Sequence, residues 1–318
     1  MPLISVVVPC HNEESSLPYF VDEIGQAFSA MRSQYQGLSF EVVFVDDGST
    51  DNTLALLKQI AAESHDFEVR WLSFSRNFGK EAALFAGLEA ARGDYVATMD
   101  ADLQDPPSLL PEMFDILMNE DYDNVATRRV TRKGEPRIRS FFARMFYRLI
   151  NRISDADIVD GARDYRLMKR NMVDAVLRIR ESNRFSKGIF GWVGFRTKWL
   201  EFENVERVAG ETKWSFWSLF LYSIDGLVGF STAPLSIASI TGLVCSMLAI
   251  VFLIVILIRA ALFGDPVAGW PSMMSVVLLL GGLQMLFLGV IGQYLAKTYV
   301  EVKRRPLYLV RESSDDVK

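Results

Sequence analysis

The sequence predicts an open, mostly parallel α/β sheet with flanking helices, followed by a pair of C-terminal membrane helices. Three observations carry this. Short β-branched runs alternate with helical patterns as far as Met118. Polar, acid-rich clusters sit where those runs end. Two long stretches near the C-terminus carry no charge at all.

The first run is Leu3–Val8, closed by Pro9, and the second is Glu41–Val45, closed by Asp46-Asp47-Gly48-Ser49. Val69–Ser73 and Tyr95–Met99 repeat the pattern, and Asn124–Thr127 reads as a fifth strand. Helical periodicity fills the gaps at Leu17–Met31, Thr53–Ala62 and Lys80–Ala91. Pro107–Met118 opens with prolines, which suit a first helical turn. In such sheets ligands bind at the carboxyl ends of the strands. That places Asn12-Glu13-Glu14, Asp46-Asp47-Gly48 and Asp100-Ala101-Asp102 at one edge.

The charge-free stretches run from Gly226 to Ile258 and from Val267 to Ala296. Their densest windows, Leu235–Ile258 and Met273–Ala296, would each extend about 36 Å as helices. A bilayer core needs roughly 30 Å. Leu248–Ile258 is apolar on all sides, which a soluble core helix rarely is. The flank Lys297, Lys303, Arg304 and Arg305 belongs in the cytoplasm by the positive-inside rule. Two spans then return the N-terminal part to the same side. The first residues lack the pattern of a signal peptide. The expected layout is a cytoplasmic domain (1–212), an interfacial amphipathic helix (213–225), two transmembrane helices (226–298) and a cytoplasmic tail with a possible strand (299–318).

Composition narrows the function. The chain has 318 residues, half of them hydrophobic, and a net charge of -5. Mean hydropathy is +0.16, high for a soluble enzyme. The acidic balance argues against a nucleic-acid binder. The two cysteines, Cys10 and Cys245, are far apart, and His11 and His65 are the only histidines. A disulfide framework and a Cys- or His-based metal centre are therefore excluded. No GxGxxG follows the first strand, and GxxxxGK[ST] is absent, which removes dinucleotide dehydrogenases and P-loop NTPases.

Asp100 and Asp102, two residues apart in a turn, suit a shared Mg²⁺ or Mn²⁺ ion completed by water and phosphate. Acidic capping before Pro106-Pro107 is the plainer alternative, and it fits Asp105 better than the other two. The Asp46–Asp51 stretch is readable either as a turn and helix cap or as a partner for ribose hydroxyls. Spacing alone leaves both pairs of readings open.

Taken in order, the segments say more. Val6–Glu14 (VVVPCHNEE), Val42–Thr53 (VVFVDDGSTDNT), Arg76–Leu84 (RNFGKEAAL) and Asp100–Pro107 (DADLQDPP) resemble the inverting family 2 glycosyltransferases of the GT-A fold. Asp164–Arg170 (DYRLMKR), Phe185–Phe195 (FSKGIFGWVGF) and Ala209–Phe216 (AGETKWSF), then two membrane helices, look like polyprenyl-phosphate glycosyltransferases. Within these the chain is most similar to the bacterial two-helix branch that loads glucose on undecaprenyl phosphate. The resemblance covers nearly the whole chain. It implies that Pro9, Glu13 and Asp46 hold the nucleoside of UDP-glucose, and that Asp100, Asp102 and Gln104 place a Mg²⁺ or Mn²⁺ ion on its diphosphate. It also implies Asp157 as the catalytic carboxylate, with Asp155 and Asp164 as competing assignments. The family often reads Gly-Asp-Phe-Arg where this chain has Arg163-Asp164-Tyr165-Arg166, so Arg163 adds bulk and charge beside the acceptor.

Nine Lys/Arg and one acid, Glu135, lie between Arg128 and Arg152. Ile138, Phe141, Phe142, Met145, Phe146, Leu149 and Ile150 recur at helical spacing opposite Arg137, Arg144, Arg148 and Arg152. This reads as a helix at the bilayer interface, or as an ordinary core-facing helix with a solvated basic face. Arg128 and Arg144 are the candidates for the acceptor phosphate, because arginine offers paired donors. Lys80 and Lys213 are readable as phosphate ligands or as surface lysines. Gly281, Gly282, Gly289 and Gly292 allow close helix contact, so a homo-oligomer is expected. Arg304–Glu312 reads as a strand available to a neighbouring chain, and Ser313–Lys318 as a disordered polar tail. Two readings compete with the glucosyltransferase: a mannose or amino-sugar transferase of the same fold, and a catalytically silent binding module. The QxxRW-type motif of processive synthases is absent.

Overall fold

In a computed structural model of the chain, residues 2–129, 159, 161–202, 232–263 and 269–316 are described. The predicted βαβ alternation is present. Strand β1 (Leu3–Cys10) leads to helix α1 (Leu17–Gln34), β2 (Ser39–Asp46) to α2 (Thr53–Ala62), and β3 (Glu68–Phe74) to α3 (Lys80–Ala90). After β4 (Tyr95–Thr98) come a 3-10 turn (Pro107–Leu109), α4 (Leu110–Asn119) and β5 (Asn124–Arg129). The chain then adds β6 (Ala162–Lys169), α5 (Arg170–Arg178), α6 (Ser186–Trp192) and β7 (Thr197–Phe202). Two long helices follow, α7 (Ala233–Phe263) and α8 (Trp270–Val302), and the last strand is β8 (Val310–Ser313).

All eight strands form one sheet in the order β7-β5-β6-β4-β1-β2-β3-β8. Strands β4, β1, β2 and β3 are parallel, and β6 and β8 are antiparallel to their neighbours. The central strands are hydrophobic on both faces because helices cover both. Val6, Val7 and Val8 of β1 and Val42 to Val45 of β2 are all fully buried. Helices α1, α2 and α4 pack on one face through Phe20, Ile24, Phe28, Leu57 and Met113. Helices α3, α5 and α6 pack on the other through Leu88, Met172, Val176 and Ile189, with Ala82, Ala83 and Ala86 near β2. Helix α3 lies so close that a Cβ at Gly87 would stand 2.2 Å from Val7 Cγ1.

Helices α7 and α8 behave differently. At 31 and 33 residues they extend about 46 and 50 Å. Both are long and apolar enough to cross a membrane. Their large apolar side chains are exposed, as at Leu243, Leu248, Leu279 and Leu286, so they are not core helices of the sheet domain.

The tail departs from expectation. Strand β8 pairs with β3 of its own chain, with Leu72 opposite Ser313 and Ser73 opposite Glu312. Tyr308 stacks on Phe74 with ring centroids 5.0 Å apart, and its hydroxyl donates to Glu89 Oε2 at 2.6 Å. The polar end, Ser313–Asp316, is also structured, because Asp315 has a basic partner on β3 and accepts from Arg70 Nη2 at 2.8 Å. Just before it, Glu312 accepts from Lys58 Nζ of α2 at 2.6 Å.

Away from the acid-rich edge, a buried carboxylate fastens the sheet. Glu41 is fully buried and accepts from Ser5 Oγ at 2.5 Å and from the Arg92 amide at 2.7 Å. Arg70 faces it at 3.4 Å while also holding Asp315. Removing one partner of a buried pair leaves a charge uncompensated. Arg70→Leu is therefore expected to cost about 3 kcal/mol. Thermal unfolding of the purified protein checks this, and an unchanged midpoint would contradict the role given to the pair.

Candidate active site

The site is built where β1, β2 and β4 end. The loops after β1 and β2 are sewn together. Asn12 Oδ1 accepts from the Thr50 amide at 2.8 Å, while the Asn12 amide donates to Ser49 Oγ at 3.0 Å. The Glu13 amide donates to Thr53 Oγ1 at 2.8 Å, and the Asn52 amide to Glu14 Oε2 at 3.0 Å. Asn12 adopts φ 57°, a left-handed conformation that asparagine tolerates. Pro9 lies just before this loop, in register with Val45.

The paired acids that end β2 do different work. Asp46 is buried and accepts from Ser73 Oγ at 2.7 Å and from the Ser49 amide at 3.0 Å. Asp47 turns the other way and accepts from the amides of Phe78 (2.7 Å) and Gly79 (2.9 Å). Burial raises the Asp47 carboxyl above its ordinary pKa, although those two amides pull it back. Gly48 is required here. Its φ is 63°, and a Cβ would stand 2.4 Å from the backbone carbon of Arg76. The β2 loop therefore clamps residues 76–79, which deliver Lys80 at the start of α3.

Lys80 is the centre of the cluster. Its Nζ lies 2.7 Å from Asp100 Oδ1, 2.9 Å from Asp100 Oδ2 and 2.5 Å from Asp164 Oδ2. Asp164 arrives on β6, whose antiparallel register pairs Thr98 with Arg166 and so brings residue 164 level with the end of β4. Thr98 Oγ1 fixes that approach by donating to the Asp164 carbonyl at 2.5 Å. Burial opposes the charge on Asp164, but Lys80 and Lys187 outweigh it and hold the carboxyl well below its ordinary pKa. Burial likewise opposes the Lys80 charge, and Asp100 with Asp164 push its pKa up instead.

The segment after β4 is shaped by its own contacts. Asp102 Oδ1 accepts from the Gln104 amide at 3.1 Å. Leu103 between them is buried at φ 56°, an uncommon conformation for leucine. Asp105 is fully buried and paired with Arg163 Nε at 2.8 Å. Burial pushes its carboxyl up to about 6, although Arg163 opposes the shift. Arg163 also donates to Gln104 Oε1 at 3.3 Å. The Gly-to-Arg departure in the motif thus adds a brace to this loop. Arg166 is buried 3.6 Å over the Phe190 ring, which ties β6 to α6.

Among the described residues, no group of three or more His, Cys, Asp or Glu side chains is placed to hold a metal by itself. Asp100 and Asp102 still suit a hard divalent ion that takes its other ligands from phosphate and water. The Lys80 ammonium lies against both Asp100 oxygens. The expected site residues divide accordingly. Pro9, Glu13, Asp46, Asp100, Asp102, Gln104 and Asp164 all lie on β1, β2, β6 or the loops that follow β1 and β4, and Lys80 joins them from the start of α3. Arg128 is on β5, opposite Glu201 of β7, and is ion-paired with it. Arg144, Asp155, Asp157 and Lys213 lie outside the described residues, as do the basic amphipathic segment and the 213–225 helix. Asp47 and Arg163 were legible only as members of an acidic run and as a motif departure. Their structural partners, the Phe78 and Gly79 amides and Asp105, are distant in sequence.

The site is thus an open sheet edge with acid-rich loops at its strand ends and an ammonium bridging two of the acids, on a chain that also bears two long apolar helices. Residues 5–177 match the model for glycosyl transferase family 2, and the chain belongs to that family. It is a glycosyltransferase. CsbB of Bacillus subtilis is 42% identical over 98% of this chain and 92% of its own length. The prophage bactoprenol glucosyl transferase homolog of Escherichia coli is 39% identical over 97% of this chain and 98% of its own. The SfII prophage-derived bactoprenol glucosyl transferase of Shigella flexneri is 38% identical, covering 98% of each chain. Among solved structures, glucosyl-3-phosphoglycerate synthase of Mycobacterium tuberculosis is similar at a TM-score of 0.45 and 21% identity, over 71% of this chain and 78% of that one.

Asp47→Asn replaces one accepting oxygen with an N–H donor facing an amide. It is expected to cost about 1–3 kcal/mol of stability, because the loop that presents Lys80 loses its clamp. Thermal unfolding checks this. A wild-type midpoint would contradict the assigned role.

Proposed function

We propose that the protein transfers a hexose, glucose from UDP-glucose, onto a polyprenyl phosphate such as undecaprenyl phosphate, with inversion, at the cytoplasmic face of the bacterial inner membrane. The observation that carries the reading is the Lys80–Asp100–Asp164 cluster at the strand ends of a chain that also bears two exposed apolar helices. The bactoprenol glucosyl transferase names of the relatives support the lipid acceptor and the sugar. The basic flank after α8 supports the cytoplasmic placement. Residues 1–212 are the catalytic domain in this reading, 213–225 an interfacial helix and 226–298 the membrane anchor.

Pro9, Glu13 and Asp46 line the nucleoside, and Lys80 faces the diphosphate. Asp100, Asp102 and Gln104 would hold Mg²⁺ or Mn²⁺ together with diphosphate oxygens. When bound, such an ion offsets the negative charge that builds on the departing nucleoside diphosphate. The acceptor phosphate oxygen attacks the anomeric carbon from the face opposite the diphosphate. A phosphomonoester has a second pKa near ~6 and is largely dianionic at neutral pH, so it needs no strong base. Asp164, held ionised by Lys80, is a poor proton acceptor and acts as an orienting anion. Asp157 is the acceptor-side carboxylate in this reading, with Asp155 as the alternative. Arg128, Arg144 and Lys213 bind the acceptor phosphate, which requires Arg128 to release Glu201. Gly281, Gly282, Gly289 and Gly292 on α8 have open space where a Cβ would stand, which suits a homo-oligomer.

Incubation of the purified full chain with labelled UDP-glucose, Mg²⁺ and undecaprenyl phosphate should yield lipid-linked glucose. Asp157→Asn and Asp102→Asn should each lower turnover by roughly a hundredfold or more. Near-normal transfer by both variants would overturn the site assignment. Saturable UDP-glucose binding with no lipid product would favour a silent binding module. GDP-mannose in place of UDP-glucose tests the mannosyl alternative.

A further inference from the structure

We propose that the Lys80 ammonium is a built-in place-holder for the divalent cation, so that metal enters this site together with the nucleotide and not before it. The inference rests on the reading of Asp100 and Asp102 as the metal carboxylates. Lys80 Nζ lies within 2.9 Å of both Asp100 oxygens and 2.5 Å from Asp164. Asp100 therefore offers a divalent ion no oxygen clear of an ammonium. An ion placed there would sit beside a like charge, which is costly at such separations even in a partly solvated site.

The lysine is held but not trapped. Its side chain is 43% exposed, so water reaches the ammonium and it has room to move toward solvent. A lysine carries a compact charge on a flexible stem, so it can swing without moving the helix that bears it. A nucleoside diphosphate brings a further anion to which the ammonium can turn. With it present, Lys80 leaves Asp100 for the diphosphate, and the freed carboxylate accepts the metal. Asp164 gives the ammonium a second anchor from which to turn. Metal and nucleotide then favour each other's binding, and the coupling is reciprocal by linkage.

The test measures Mn²⁺ binding to the full-length protein in detergent by electron paramagnetic resonance of free Mn²⁺, with and without saturating UDP. Wild type should bind Mn²⁺ weakly alone and much more tightly with UDP. Lys80→Gln should bind nucleotide-free Mn²⁺ roughly tenfold tighter than wild type and show a smaller gain on adding UDP. Lys80→Ala should do the same by a second route. Lys80→Arg keeps the charge and should stay near wild type. Equal nucleotide-free affinity in wild type, Lys80→Gln and Lys80→Ala, with UDP-dependent binding intact in wild type, overturns the place-holder role alone. Failure of wild type to bind Mn²⁺ even with UDP overturns the reading of the site beneath it.

Discussion

Charge neutrality at the carboxyl ends of β1, β2 and β4 is the constraint on which the site depends. Parallel strands in this order bring their terminal acids to one edge, and β6 adds Asp164 from the opposite direction. Such a gathering of carboxylates is unfavourable unless a cation is present. The fold supplies one from the start of α3, a position fixed by Asp47 and the glycine turn at Gly48. In the proposed function the same arrangement receives a cation and a polyanionic ligand, so that stability and function would meet in one lysine.

The remaining charges are arranged around that centre. Arg163 braces the loop after β4 through Asp105 and Gln104, so the carboxylates on that loop are held from behind. Arg166 packs on Phe190 and fixes the strand that carries Asp164. Away from this edge, the Glu41–Arg70–Asp315 group locks the last residues of the chain onto β3. Those residues follow α8 directly, so the apolar helices are fastened to the catalytic sheet through β8 and Tyr308.

Much of this was legible in the sequence, for physical reasons. The buried parallel strands are unbroken β-branched runs such as Val6–Val8 and Val42–Val45, and their ends are marked by Pro9 and Asp46-Asp47-Gly48. The apolar helices declare themselves by length and lack of charge. Strand β6 escaped because Ala162–Lys169 reads as a charged segment, its Arg166 buried only because Phe190 and β4 cover it. A strand near the C-terminus was legible, but β8 (Val310–Ser313) meets only the last three residues of the expected Arg304–Glu312, and its partner was not legible, since pairing with β3 depends on a contact between residues such as Phe74 and Tyr308, far apart in the chain. Lys80 was legible as a phosphate ligand or a surface lysine. Its bridge between Asp100 and Asp164 is a tertiary fact that no local pattern encodes.

The central claim is that the loop after β4 meets the donor's diphosphate through a divalent cation. A crystal of the full chain grown with UDP and Mn²⁺, measured at the manganese edge, tests it most directly. The anomalous peak is expected between Asp100, Asp102 and the diphosphate, with the Lys80 side chain turned from Asp100 to a phosphate oxygen. A peak elsewhere, or a diphosphate bound with Lys80 still on Asp100, would contradict it.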